Sequence, residues 1–169
     1  MVTAIVNDPG IAAGQVLSWV GCEVTRQGKG TGILTRGDLL VPDTSTAPDS
    51  WKISPASAAV LGPFAVCHAT TTSAATLVSV AKGGTQCLTA DGTIEIGKYV
   101  QAASATAGQV IAFAATDVTA TPVEAGIESA AGDALRIVGT CEGFADNYNT
   151  GTPTAPVDGD LVAVKMRIV

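Results

Sequence analysis

The chain of 169 residues holds one histidine, His68, and that residue bounds the nucleophilic chemistry open to it. A Ser-His-Asp or Cys-His arrangement needs an imidazole to take the nucleophile's proton, so any such site would have to be built on His68. Its neighbour Cys67 is the nearest thiol, but successive side chains of a strand point to opposite faces, which separates the two. No G-x-S-x-G elbow occurs. The surrounding run, AVLGPFAVCHA at 59–69, is nearly continuous and apolar, which suits a core or strand-end histidine better than a metal ligand. Cys22, Cys67, Cys87 and Cys141 contain no C-x-x-C pair, so the common zinc and redox spacings are missing and buried free thiols are expected.

Paired carboxylates are the next possibility. Asp91, Glu95, Glu124, Glu128 and Asp133 are the acids that a glycosidase would have to bring together. Their spacing selects no pair, and Trp19, Trp51, Tyr99 and Tyr148 are too scattered to predict a sugar-stacking platform. Asp43, Asp49, Asp146, Asp158 and Asp160 lie near turns without EF-hand spacing and read as solvated loop carboxylates. The Gly-Lys pairs at 28–29 and 97–98 run on into Gly30 and Tyr99, whereas a P-loop requires Ser or Thr there. Arg36-Gly37-Asp38 spells an adhesion tripeptide, yet Gly-Asp precedes an apolar strand again at 132–133 and 159–160, so turn chemistry accounts for it. The expectation is a chain with no catalytic residue, no cofactor and no metal site.

The elements around these residues are short and β-prone. QVLSWV at 15–20, EVT at 23–25, GILT at 32–35 and DLLV at 38–41 alternate with turn residues, and GKGTG at 28–32 reads as a hairpin tip. TLVSVAKGG at 76–84 runs through a Gly-Gly turn into TQCLT at 85–89, a hairpin pattern. TIEI at 93–96, KYVQA at 98–102, QVIAFAA at 109–115, ALRIVGTC at 134–141 and LVAVKMRIV at 161–169 continue the series. Five of these strands follow a Gly-bearing turn, at 37–41, 97–102, 108–113, 132–138 and 159–164, but at irregular spacing, so the echo reads as turn grammar rather than a repeat. One short helix at most is expected, over 121–135, where Thr121 and Pro122 supply a cap and a first turn.

This rhythm predicts an all-β fold, a compact β-barrel or β-sandwich. The expected organisation is an N-terminal arm at 1–13 and a single β domain at 14–169, with long loops at 42–58 and 143–158. Trp51 is expected to pin the first of those loops. The arm is cut by the Asn-Asp-Pro-Gly turn signal at 7–10 and carries apolar residues suited to adding a strand to a neighbour.

Composition narrows the function. A formal net charge of −6 speaks against direct contact with nucleic acid, which needs clustered cations to displace counterions. No apolar run has the length of a membrane-crossing helix, and the first residues lack the basic and apolar regions of a signal peptide, so neither membrane anchoring nor secretion is expected. Aromatic residues make up only 4% of the chain, which leaves a core of small aliphatics and favours oligomerisation as its support.

The stretch ATLVSVAKGGTQCLTADGTIEIGKYVQAASATAGQVIAFA at 75–114, with GDLVAVKMRIV at 159–169, resembles the head-decoration, or capsid cement, proteins of tailed phages and related viruses. The resemblance rests on a strand, a Gly turn, a short strand, G-x-x-V and then G-x-V-I-x-F. It implies a homotrimer seated on the outside of a virion made in the host cytoplasm, with an arm touching the major capsid protein. The residues expected to make that contact are Val2, Ala4, Ile5, Val6 and Ile11. The alternative is another virion or surface β-module: a spike base, a tail component or an adhesive domain.

Overall fold

The protein was analysed as a computed structural model, which describes residues 12–18, 20–45, 50–57, 59–73, 77–114, 132–144 and 155–167. It is all-β, with two antiparallel sheets stacked in a sandwich-like body and not closed into a barrel. The strands are β1 (Val16–Ser18), β2 (Glu23–Lys29), β3 (Leu39–Pro42), β4 (Trp51–Ile53), β5 (Ala65–Cys67), β6 (Leu77–Lys82), β7 (Thr85–Thr89), β8 (Tyr99–Ala102), β9 (Val110–Ala112), β10 (Gly139–Phe144) and β11 (Leu161–Met166). A helical turn over 132–136 supplies the short helix, and the rest of the predicted helical stretch, 121–131, lies outside the described residues.

One sheet has the order β2-β6-β5-β3-β4 and the other β1-β7-β11-β10-β8-β9. Apart from the added β1, the second sheet repeats the first: in each, five consecutive strands are arranged first-fifth-fourth-second-third. The chain is an internal duplication. GTGILTRGDLLVP at 30–42 corresponds to ADGTIEIGKYVQA at 90–102, and LVSVAK at 77–82 to LVAVKM at 161–166. The hydrogen bonds match as well. Gly37 N–H donates to the Cys67 carbonyl at 2.8 Å, as Gly97 N–H does to that of Cys141 at 2.8 Å. Cys67 N–H donates to Asp38 and Cys141 N–H to Lys98, each at 2.9 Å. Isolated parallel bridges, Gly30 to Trp51 and Ala90 to Val110, draw the first and third strands of each repeat together.

The glycines explain why the two copies share a backbone. Gly37 and Gly97 both have positive φ, 96° and 80°, at the turn entering the second strand of their repeat. A side chain is strained in that region of φ/ψ space, so this turn conserves glycine where the flanking residues diverge. The non-strand segment before each turn drops one aliphatic residue, Leu34 or Ile94, to zero exposure. Leu34 packs with Leu40, Trp51, Ala65, Cys67, Val78 and Val80. Ile94 belongs with the second-repeat counterparts Val100, Val110, Cys141, Val162 and Val164.

Several expectations change. GILT and TIEI are not strands, because their middle residues turn inward as plugs instead of alternating across a sheet. GKGTG is not a hairpin tip, since β2 continues through Lys29 and pairs with β6. Strands β6 and β7 do not form a hairpin but lie in different sheets. Gly83 and Gly84 are both left-handed, with φ of 67° and 63°, and this consecutive pair carries the chain from one sheet to the other. The stretch 42–58 is not a plain loop, because Trp51 is buried in β4. The second predicted loop, 143–158, is entered by β10, which runs through Phe144, and its residues 145–154 are outside the described set.

Equivalent plugs should fail alike. Leu34→Ala and Ile94→Ala are each expected to lower the unfolding free energy by about 2–4 kcal/mol. Ile33→Ala, at a position 63% exposed, should cost less than about 0.5 kcal/mol. Denaturant titration monitored by circular dichroism measures all three.

Candidate functional site

Among the described residues, those that could do chemistry are placed apart and engaged separately. Cys67 is fully buried, and its Sγ donates to the Ala69 carbonyl at 3.2 Å. Burial pushes its thiol up to about 11, with the Asp38 carboxylate adding to the effect, so it holds its proton and is a poor nucleophile. His68, at the end of β5, is half-buried, and its Nδ1 has no hydrogen-bond partner. Burial also raises the Cys141 and Cys22 thiols, and none of the four cysteines is in a disulfide. The sequence pattern gave no sign that Cys67 and Cys141 are the same position in two repeats.

The carboxylates are engaged separately. Asp91 accepts from Thr106 N–H at 3.1 Å and its Oγ1 at 3.4 Å. Glu95 faces Lys98 at 3.9 Å on the surface, and Asp133 binds Arg136 at 2.8 Å. Glu124 and Glu128 lie outside the described residues. Among the described residues Asp43 is the most enclosed acid. It accepts from Thr31 Oγ1 at 2.7 Å, Ser45 Oγ at 2.6 Å and Lys52 Nζ at 3.4 Å, a knot that closes the end of β3 against β4. Among the described residues no cluster of His, Cys, Asp and Glu could hold a metal ion, and no helix is long and apolar enough to cross a membrane. In the tripeptide at 36–38, Asp38 folds back to accept from Thr35 N–H at 2.7 Å, and the same turn in the second repeat is built from Ile96, Gly97 and Lys98. The aspartate's carboxyl is raised by burial.

Two surfaces stand out instead. The first is the root of the N-terminal segment. Gly14 N–H donates to the Cys87 carbonyl at 2.7 Å, and Cys87 N–H donates to that of Gln15 at 2.9 Å. These bonds lead into β1, which pairs with β7 through Val16–Gln86 and Ser18–Thr85. A Cβ on Gly14 would lie 2.6 Å from Gly37 N and 2.7 Å from the Cys67 carbonyl oxygen, so glycine alone fits the wedge between the two repeats. The predicted contact residues Val2, Ala4, Ile5, Val6 and Ile11 all lie before this wedge, outside the described residues. The domain boundary drawn after residue 13 falls inside it, because Ala13 and Gly14 pack against Gly37.

The second surface is a groove of about 580 Å³ lined by Thr93, Glu95, Lys98, Tyr99, Ala112 and Phe113. Tyr99 is 56% exposed there, whereas its first-repeat counterpart Leu39 is fully buried. Arg136 packs on Phe113: its guanidinium donates to Gln101 Oε1 at 2.8 Å and sits 5.4 Å from the Phe113 ring centre. Sequence reasoning treated Tyr99 only as a scattered aromatic, because its exposure follows from the duplication.

Comparison with protein-family models, curated proteins and solved structures finds no match.

The thiols supply a test of this arrangement. Cys67 keeps its proton in the folded protein to about 11, while an ordinary thiol of the unfolded chain loses it at 9.0. Unfolding therefore releases a proton between those values, and stability should fall as pH rises through them. Cys67→Ala should flatten that slope in denaturant titrations run across the window. At mildly alkaline pH, iodoacetamide should modify the half-buried Cys22 ahead of the three buried thiols, as read by peptide mass mapping.

Proposed function

We propose that this chain is a structural protein of a virion, bound to the outside of the capsid and stabilising the shell through the major capsid protein, with no reaction of its own. The observation that carries the reading is the wedge at Gly14. Gly14 sits at the seam of the two repeats, bonded to Cys87 of the second and packed on Gly37 and Cys67 of the first, so the chain just after residues 1–11 is held by both. Its apolar residues Val2, Ala4, Ile5 and Val6 suit strand addition to a sheet edge, where main-chain bonds give affinity and alternate side chains give register.

The rest of the chemistry agrees with a bracing role. No cysteine is in a disulfide and three of the four are buried, Asp38, Asp91 and Asp133 serve turns and an ion pair, and the net charge is −6. Many copies bound over one shell act multivalently, so each contact needs only modest strength.

Removing residues 1–11 leaves Ala13 and Gly14 in place and so separates binding from folding. The truncated protein should keep its circular dichroism and thermal transition but fail to occupy undecorated shells of the same virus. Occupancy equal to that of the full chain, measured by co-sedimentation and particle imaging, would overturn the role of the arm.

A further inference from the structure

We propose that Asp38 is a proton-sensitive latch on the seam between the two repeats: its neutral carboxyl lets the Gly108 turn seat firmly, and its ionised form loosens that seat. Gly108 lies in the turn between β8 and β9 and brings the second repeat onto the first. Leu39 N–H donates to the Gly108 carbonyl at 2.8 Å, and Gly108 N–H donates to the Ser54 carbonyl at 3.0 Å. A Cβ on Gly108 would lie 3.2 Å from Asp38 Oδ1 and 3.2 Å from Ile53 Cγ2. The Asp38 side chain is therefore part of the seat, beside the residue that makes the first of those bonds.

The backbone fixes it there. Asp38 N–H donates to the Thr35 carbonyl at 3.0 Å, the Asp38 carbonyl accepts from Cys67 N–H at 2.9 Å, and Oδ2 accepts from Thr35 N–H at 2.7 Å. The other oxygen, Oδ1, is the one nearest Gly108, and among the described residues no donor reaches it. What the seam offers around it is two carbonyl oxygens, of Gly108 and Ser54, and the Ile53 side chain. A carboxylate moved next to acceptors and a methyl group loses water without gaining a partner, whereas the acid has an O–H to donate. Burial accordingly holds the Asp38 carboxyl above the ordinary value of 3.8, against the pull of the Thr35 bond.

Among the described residues no opposite charge offsets this. The turn at 103–109 contains no titratable residue, and Asp91, which holds Thr106 in it, is a second acid. On β4, Lys52 is paired with Asp43. On β5, the Cys67 thiol is itself pushed up by the Asp38 carboxylate after its own burial. Arg36, in the same turn as Asp38, lays its Cγ 2.7 Å from the position that a Cβ on Gly14 would take. The second repeat carries Lys98 at the equivalent position, so the acid belongs only to the repeat on which Gly108 sits. The direction follows. A carboxyl raised by closing the seam takes up a proton as the seam closes, so closure is strongest in acid and weakens as pH rises through the raised value. This inference stands apart from shell binding, since it concerns the contact of two repeats within one chain.

NMR titration of the full chain reads the Asp38 carboxyl directly, and amide hydrogen exchange reads the seam. Asp38 should titrate above 3.8. Protection of the Leu39 and Gly108 amides, taken relative to that of Val80 in β6, should fall as pH rises from acid to neutral. Asp38→Asn keeps an acceptor for Thr35 N–H but cannot ionise, so it should abolish that fall and raise relative protection at neutral pH about threefold or more. Glu95→Gln removes an exposed carboxylate from the equivalent turn of the second repeat and should leave the profile as in the wild type. Should Asp38→Asn fail to fold, the wild-type titration and exchange profile decide the matter. An Asp38 midpoint at or below 3.8, wild-type relative protection that is flat or rises with pH, or the same fall in Asp38→Asn would overturn the proposal.

Discussion

The peptide of Gly108 is the contact on which the rest of the molecule depends. Ser54 N–H donates to the Leu39 carbonyl directly at 2.8 Å, and the Gly108 peptide bridges the other two groups of that pair, accepting from Leu39 N–H at 2.8 Å and donating to the Ser54 carbonyl at 3.0 Å, so it ties the second repeat into the ladder of the first. Around that tie the outward face of the first sheet, Leu39, Val41 and Val66, joins the same cluster as Leu88, Val100 and Val164 of the second. A sheet of small aliphatics has little area per residue to bury, and covering one sheet with the other is the route to a core. Glycine suits position 108, where φ is 78° and a Cβ would lie 3.2 Å from both Asp38 Oδ1 and Ile53 Cγ2.

The duplication also explains what looks irregular. Each repeat has its own plug, Leu34 or Ile94, its own glycine turn and its own buried cysteine. The two repeats differ where they face different surroundings. Val41 is apolar under the second repeat, whereas its counterpart Gln101 is held by Arg136. Leu39 is covered and Tyr99 is not. Among the described residues strand β1 has no counterpart in the first sheet, and it carries Gly14 and Gln15 to the seam between the repeats. Asp38, Asp91 and Asp133 are engaged in turns and an ion pair.

Much of the fold was legible in the sequence because a half-buried strand advertises itself by composition and by the glycine turn before it. The β1, β6, β7, β8, β9 and β11 segments fall within predicted strands, β3 outruns its own by Pro42, and the all-β class follows from them. The pairing was not legible. TLVSVAKGGTQCLT reads as a hairpin from its alternation, yet two left-handed glycines send β6 and β7 into different sheets, a choice made by packing and not by local pattern. The repeat itself was hidden because the connection from β9 to β10 is longer than that from β4 to β5, which breaks the fixed spacing by which a repeat is recognised.

Sequence by itself determined the class of the fold, the low charge and aromatic content, and the sparse supply of groups for catalysis. These are sums over local choices, and local choices are written residue by residue. Tertiary structure decided which strands are neighbours, that Cys67 and Cys141 are one position used twice, and that Tyr99 is exposed where Leu39 is buried. Those facts depend on contacts between residues far apart in the chain, and no window of sequence contains both partners.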